Sequence, residues 1–162
     1  MATELLNTKS ELDEIDRRLL ARLMRNGRAT WADLAVELGL TAPAIAGRVR
    51  RLEERGVIRQ FAAWVAAEAV APVCAFLALR FERPDLRDDF HRQVGELECV
   101  QECAHLAGAD NYLLKVRCVS LAELEQLVAV ALPRIPGVAR VRTSVVLSSV
   151  KDTPVLPVAG IT

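Results

Sequence analysis

The stretch DLAVELGLTAPAIAGRVRRLEERGVI, residues 33–58, decides how the first part of the chain folds. Its second half carries apolar residues at i, i+4 and i+7, the spacing that places them on one helix face: Ile45, Val49 and Leu52. Thr41 stands where a helix cap is needed, and Gly39 is the kind of residue that ends a preceding helix. Two helices joined by so short a turn are typical of a helix-turn-helix unit.

Another helix is predicted upstream of this pair. Segment 12–26 places apolar residues at helical spacing, and Gly27 follows as a stop signal; the residues are Ile15, Leu19, Leu20 and Leu23. Thr30 stands three residues before Asp33, an arrangement that can cap the next helix. The sequence therefore predicts three helices, the last of which closes at Gly56.

The helical period is lost after this unit. IRQFAAWV (58–65) can form a strand that serves as a wing or a linker, and the alanine-rich stretch 64–72 ends at a proline, as connectors often do. We therefore divide the chain into a winged helix-turn-helix domain (1–60), a strand or linker (61–72), a second domain (73–153) and a tail (154–162).

The second domain alternates predicted strands and helices. Apolar residues recur at helical spacing after Pro84, and Ser120 with Glu123 can cap another helix. Strand patterns lie around these helices in CAFLALRFE (74–82), VQECAHLAG (100–108), NYLLKVRCV (111–119) and VARVRTSVVLSSV (138–150). The order predicts a ferredoxin-like βαββαβ domain and, together with the N-terminal helices, an α+β protein.

Composition indicates a folded protein without a strong overall electric field. Hydrophobic residues make up 52% and charged residues 26%, which is enough apolar surface for packed cores. Lys plus Arg number 21, as do Asp plus Glu, so any attraction to nucleic acid must come from local charge. No apolar run has the length of a signal or of the roughly 20 residues that span a bilayer. We therefore expect a cytoplasmic protein without a membrane partner.

Local charge is concentrated on the third helix. Residues 41–60 contain five arginines against two acidic residues, and small residues near the helix start permit close approach to a groove. An ordinary solvated helix face is the alternative interpretation. The predicted contacts to double-stranded DNA are Thr41, Ala42, Ala44, Arg48, Arg50, Arg51 and Arg55, with Arg48, Arg51 and Arg55 on one flank.

No set of residues in the sequence is typical of a catalytic or metal site. His91 and His105 lie in a predicted helix and strand, with no nucleophile and orienting group beside them, so we predict no catalytic residues. The spacing Cys99, Cys103 and His105 lacks a fourth ligand, so we predict neither a metal nor a cofactor. These cysteines, with Cys74 and Cys118, are expected to be reduced thiols.

Four segments together resemble the Lrp/AsnC, or feast/famine, family of regulators: LDEIDRRLLARLMRNGR (12–28), residues 33–58, GADNYLLKVRC (108–118) and VRTSVVLSSVKDT (141–153). The resemblance covers residues 12–153, and RVRRLEERGVI (48–58) is its most specific part. It implies a winged helix-turn-helix joined to a ferredoxin-like effector domain. It also implies dimers built through the effector domains, frequently rings of four dimers, with an amino acid or a related metabolite bound between dimers.

The resemblance also implies where the effector binds. The pocket would draw on the loop before Tyr112, through Gly108, Ala109, Asp110 and Asn111, and on the last strand of a neighbouring subunit, through the hydroxyls of Thr143 and Ser144. Glycine lets backbone amides fold around a carboxylate, and Asp110 can accept from an ammonium group. A plain hairpin turn is the alternative. Two residues depart from the family pattern: Asn111 stands where an acid is usual, and Gly47 interrupts the recognition helix.

Two rival functions are compatible with the same scaffold. Proteins that resemble this family include sirohaem decarboxylases, for which His105, Arg117 and Arg142 could line a tetrapyrrole cavity. A nucleoid-architectural protein would bind DNA without sequence preference. Arginines alternate with apolar residues along the last strand, and such a sheet surface can be covered by a second subunit.

Overall fold

In the computed structural model, which describes residues 12–158, three helices fill the first part of the chain: α1 (Glu14–Arg25), α2 (Trp31–Leu38) and α3 (Ala42–Glu54). Each begins at a polar cap, and the caps of α2 and α3, Thr30 and Thr41, are the predicted ones. The Asp13 carboxylate accepts from the Asp16 amide, and the hydroxyls of Thr30 and Thr41 accept from amides three residues on. Gly39 ends α2 with φ of 68°, a left-handed conformation that favours glycine.

The three helices pack around one apolar core. All three apolar residues predicted for the inner face of α3 are buried, and they meet buried leucines of α1 and α2. The central members of this core are Leu19, Leu34, Ile45, Val49 and Leu52. The predicted helix-turn-helix arrangement is therefore confirmed.

Residues 57–66 contain no strand, so the segment predicted as a wing or a linker is a linker in this chain. A strand needs a neighbour for its backbone hydrogen bonds, and within residues 12–158 none pairs with this segment. Its apolar side chains Phe61, Trp64 and Val65 are exposed. One helical turn, α4 (Ala67–Val70), follows before the sheet begins.

The second part of the chain is a four-stranded antiparallel sheet with helices on one face. Its strands are β1 (Val73–Phe81), β2 (Val100–His105), β3 (Tyr112–Cys118) and β4 (Val138–Val145), in the order β2-β3-β1-β4. This is the ferredoxin-like order that the sequence predicts. The connecting helices are α5 (Arg87–Gly95), preceded by the 3-10 turn Pro84–Leu86, and α6 (Leu121–Gln126), continued by a π-helical turn (Leu127–Ala131) and a 3-10 turn (Leu132–Arg134).

Alternation along β1 gives the sheet two different faces. The inner face packs on the helices through Ala75, Leu77, Leu79 and Phe81, all buried. Strand register places the remaining residues on what we call the outer face: Phe76, Ala78 and Arg80 of β1, Leu113, Lys115 and Arg117 of β3, and Arg140, Arg142 and Ser144 of β4. Phe76 lies in the middle of this outer face and is 40% exposed.

The described residues fall into two units, 12–64 with 151–158, and 65–150. The division lies inside the predicted linker, whereas residues 151–153 group with the first unit instead of the second domain. The outermost parts of the predicted first domain and tail, residues 1–11 and 159–162, lie outside the described residues. No helix between residues 12 and 158 is long and apolar enough to cross a membrane.

Gly137 allows β4 to approach the end of β1. Its φ is 99°, and a Cβ built there would lie 2.6 Å from the buried ring of Phe81. We expect Gly137→Ala to lower the free energy of unfolding by about 2 to 5 kcal/mol, since it adds overpacking to backbone strain. Gly47→Ala is the matched control: it meets open space in a helix and should raise stability by about 0.5 to 1 kcal/mol in the same denaturation experiment. Equal effects of the two substitutions would contradict this account of Gly137.

Candidate DNA-binding and effector-binding sites

Helix α3 presents most of the predicted DNA-binding residues to solvent. Thr41, Ala44, Arg50, Arg51 and Arg55 are exposed, whereas Ala42 is half-buried against the core. The Thr41 hydroxyl accepts from the Ala44 amide at 3.4 Å, so Thr41 also caps the helix. Gly47, in the middle of the helix, leaves open space where another residue would carry a side chain.

Arg48 is held by two carboxylates of α1. Its Nη1 donates to Asp13 Oδ2 and to Asp16 Oδ1, each at 2.6 Å, and its side chain is 20% exposed. The Asp16 amide and the Arg48 guanidinium lower the pKa of Asp13, against the opposing effect of burial. The bonds that the Asp13 carboxylate accepts from the Asp16 amide and from Arg48 therefore stabilise the fold at neutral pH, and this stabilisation is lost as the pH falls through the lowered pKa of Asp13. Arg48 thus ties the recognition helix to α1.

The other three arginines of α3 are differently engaged. Arg50 makes a loose contact of 4.0 Å with Glu54 on its own helix. Arg51 and Arg55 are exposed and form no ion pair with any residue from 12 to 158. Two guanidinium groups are therefore available to an external anion, and a third is weakly held.

The sequence does carry a signal for the role of Arg48. Asp16 lies between Leu12 and Leu19 at helical spacing, so it occupies the apolar stripe of α1 and is only 7% exposed. A carboxylate placed there needs a cationic partner. The identity of that partner, 32 residues away, depends on how the helices pack.

The second candidate site is the hairpin loop between β2 and β3. The Leu106 amide donates to the Asn111 carbonyl at 2.8 Å and closes the loop, in which Gly108 has φ of 144°. Asp110 forms an ion pair with Arg142 of β4. This ion pair holds the loop against the last strand of the same chain, whereas the sequence predicts that the last strand of a neighbouring subunit completes the effector pocket.

Asn111 has a structural function that explains its departure from the usual acid. Its Nδ2 donates to the Phe81 carbonyl, and its Oδ1 accepts from the Phe81 amide, both at 2.8 Å. The amide side chain thereby continues the pairing of β1 beyond Tyr112. A carboxylate could accept but not donate, so only the carboxamide satisfies both backbone groups.

Thr143 and Ser144 lie on β4 and are exposed. Register pairs Thr143 with Leu77 of the inner face and Ser144 with Phe76 of the outer face, so their side chains point to opposite sides of the sheet. Ser144 shares the outer face with Arg142. The structure therefore brings Asp110, Arg142 and Ser144 to one region, with Thr143 on the other side of the strand.

An aromatic cluster surrounds Tyr112, the residue that follows the loop. Tyr112 is buried, its hydroxyl lies 2.7 Å from His91 Nε2, and the His105 ring stacks on it with centroids 4.8 Å apart. Both histidines therefore have structural contacts. Phe81 and Phe90 complete the cluster, with their ring centroids 4.6 Å apart.

All four cysteines are free thiols. Cys99 and Cys118 hydrogen bond to each other, and burial raises the pKa of both, that of Cys118 to about 11. They therefore stay protonated at neutral pH. Within residues 12–158, no three His, Cys, Asp or Glu side chains are grouped so that they could hold a metal ion.

The residues considered for a tetrapyrrole site do not converge. His105 pairs with Tyr112 of the inner face, whereas Arg117 and Arg142 lie on the outer face. The sheet stands between the imidazole and the two guanidinium groups. Arg117 also contacts Glu68 and the Ala71 carbonyl, each at 3.5 Å.

Two family models match the chain. Residues 12–53 match the AsnC-type helix-turn-helix domain, and residues 74–156 match the Lrp/AsnC ligand binding domain. The two matches coincide with the three-helix unit and with the sheet and its helices.

Individual proteins are similar over nearly the whole chain. The leucine-responsive regulatory protein of Haemophilus influenzae is 38% identical, over 88% of this chain and 87% of its own. A transcriptional regulator of Neisseria meningitidis, solved as a complex with L-Met, is 31% identical with a TM-score of 0.83, over 91% of this chain and 97% of its own. A feast or famine regulatory protein of Mycobacterium tuberculosis, complexed with L-methionine, is 38% identical with a TM-score of 0.76, over 87% of this chain and 95% of its own.

We predict that Asn111→Asp destabilises the protein by about 1 to 3 kcal/mol at neutral pH, because the Phe81 carbonyl loses its donor. Protonation of the new carboxyl restores a donor, so the deficit relative to the parent protein should shrink as pH is lowered toward 4. Asn111→Ala is the control: it loses both bonds and should show a deficit that varies little with pH. Urea unfolding at several pH values measures both variants, and a deficit of Asn111→Asp that is independent of pH would contradict this role.

Proposed function

This chain belongs to the Lrp/AsnC family of transcription regulators, and from that premise we propose which of its surfaces bind DNA and effector. Helix α3 enters the DNA groove, and an amino acid binds at the loop 108–111 beside β4. The observation that carries the DNA part is the pair of exposed arginines Arg51 and Arg55, which no acid between residues 12 and 158 neutralises, on the helix that the fold presents for recognition. A regulator of this kind acts on the chromosome in the cytoplasm.

We assign the contacts to DNA according to whether each arginine already has a carboxylate partner in the structure. Arg51 and Arg55, with Arg50 beside them, reach phosphates or guanine edges, since no carboxylate holds Arg51 or Arg55 among the described residues. Thr41, Ala42, Ala44 and the bare backbone at Gly47 allow the helix to approach closely. Arg48 orients the helix from behind through Asp13 and Asp16 instead of contacting DNA.

The effector proposal is supported by two solved relatives whose complexes contain methionine. An amino acid needs acceptors for its ammonium group and donors for its carboxylate. Backbone amides at Gly108 and Ala109, the Asp110 carboxylate and the Ser144 hydroxyl are of these types, and the Thr143 hydroxyl, which lies on the other side of β4, would come from a neighbouring subunit. Asn111 contributes through its backbone, because its side chain is committed to Phe81.

We propose that the working unit is at least a dimer, and an octamer of four dimers by analogy with the family. The outer face of the sheet exposes Phe76 at its centre, and the linker exposes Phe61, Trp64 and Val65. Apolar surface of this kind is stabilised when a second copy covers it. Two-fold symmetry would then place half-sites about one helical turn, roughly 10 base pairs, apart or at a multiple of it.

Arg51→Ala tests the DNA proposal against a duplex selected from a random pool by the parent protein. We expect weaker binding, and the slope of log affinity against log salt should fall by about 0.9 for each phosphate that the variant no longer neutralises. An interaction of Arg51 with a base would instead reduce affinity for the selected duplex only. Fluorescence anisotropy at several salt concentrations measures both.

Arg48→Met and Arg134→Ala are the comparison variants for that experiment. Arg48→Met should lower thermal stability but leave the salt slope of the folded protein unchanged, and Arg134→Ala, in the sheet unit, should change neither. An unaltered affinity in the double variant Arg51→Ala, Arg55→Ala would overturn the assignment of α3. Equal affinity of the parent protein for all duplexes would favour an architectural DNA-binding protein.

Phe76→Asp tests the dimer, because a charge at the centre of the outer face opposes its burial by a second copy. Light scattering should give a mass of at least twice 17.8 kDa for the parent protein and a lower mass for this variant. Leu121→Asp, also at an exposed apolar position but on α6, should keep the parent mass. A monomer that still binds its selected duplex tightly would refute the proposal.

A further inference from the structure

An ion pair joins the loop of the candidate effector site to β4 of the same chain. The Arg142 guanidinium donates to Asp110 Oδ2. The Asp110 side chain is 18% exposed, whereas that of Arg142 is 61% exposed. A carboxylate so largely removed from water requires a cationic partner, and Arg142 supplies it.

The surroundings of this pair carry an excess of positive charge. Arg140 lies two residues before Arg142 on the outer face and pairs in register with Arg80 of β1. Arg80 contacts Glu82 at 2.7 Å, so this corner of the sheet holds three guanidinium groups and two carboxylates. Like charges directly opposite each other on a sheet repel, so an added anion is attracted here.

These charges determine which ligands can replace the ion pair between Asp110 and Arg142 without leaving a charge unpaired. A ligand with only an ammonium group would displace Arg142 and leave its guanidinium without the carboxylate. A ligand with only a carboxylate would take Arg142 and leave Asp110 unpaired in its partly buried position. A ligand with both groups replaces one ion pair by two, so no charge loses its partner.

We infer that Arg142 is a specificity-determining residue of the effector site. It holds Asp110 in the free protein, and on binding it takes the α-carboxylate of the ligand while Asp110 takes the α-ammonium group. The site thereby selects zwitterionic amino acids over the related amines and carboxylic acids. This inference rests on the proposed amino-acid effector and assigns it a mechanism of selection.

Thermal shift measurements on the full chain test the exchange. The probes are the standard amino acids, then the amino acid with the largest shift and two truncated forms of it. One form is the primary amine that lacks the carboxylate, and the other is the carboxylic acid that lacks the amino group. L-methionine is the first probe, since the two solved relatives hold it.

The parent protein should respond to the amino acid and to neither truncated form. Arg142→Gln should weaken amino-acid binding about tenfold or more but create a response to the amine, because Asp110 is then free to accept it. Asp110→Asn should likewise create a response to the carboxylic acid, because Arg142 is then free. Arg134→Gln removes an exposed arginine elsewhere in the same unit and should leave all responses as in the parent protein.

An ion pair with only a structural role would not give Arg142→Gln a response to the amine or Asp110→Asn a response to the carboxylic acid. If Arg142→Gln weakens the amino acid but creates no response to the amine, or if it binds the amino acid as the parent protein does, Arg142 does not select the ligand. Those results leave the proposed amino-acid effector intact. If no amino acid stabilises the parent protein, the amino-acid effector itself is wrong and this inference falls with it.

Discussion

Contacts of Phe81 and of the next residue, Glu82, fix the end of the sheet that carries the candidate effector site. The Phe81 backbone is bonded twice by the Asn111 side chain, the Phe81 ring lies against Gly137, and the Glu82 amide donates to the Gly137 carbonyl at 2.9 Å. The hairpin loop and the start of β4 are therefore both anchored to one residue of the central strand. This common anchor allows Asp110 to meet Arg142, although 32 residues separate them.

In the first unit, the arginines of α3 differ in function because only Arg48 has carboxylates of α1 beside it. Arg48 faces two carboxylates of α1 and becomes part of the packing between helices, whereas Arg51, three residues later, faces solvent. Helix α3, which we propose to bind DNA, is thus oriented by Arg48 and carries exposed positive charge on Arg51 and Arg55. A count of arginines on α3 gives the local charge correctly but overstates how much of it is free for a phosphate.

Local patterns predicted the elements of this fold well, because caps and apolar periods depend on residues that are close in sequence. Thr41 and Ser120 cap helices as predicted, and the alternation in β1 gives its buried side. What the sequence leaves open involves partners distant in sequence. Whether 57–66 is a wing or a linker depends on a strand to pair with, which is absent among residues 12–158, and the bonds of the Asn111 side chain depend on where Phe81 lies. Which residue of α3 meets Asp16 likewise depends on helix packing.

The exposed linker also offers a site at which a protease can cut the protein. Phe61 and Trp64 are the aromatic side chains that chymotrypsin prefers, and they stand on a segment without regular hydrogen bonds between two separate cores. One cleavage there separates the core residues of the helical unit, all before residue 59, from those of the sheet unit, all after residue 72. In the dimer that we propose, a second copy that covers the linker would shield the same bonds, and the rate of digestion would then report how much of the protein is assembled.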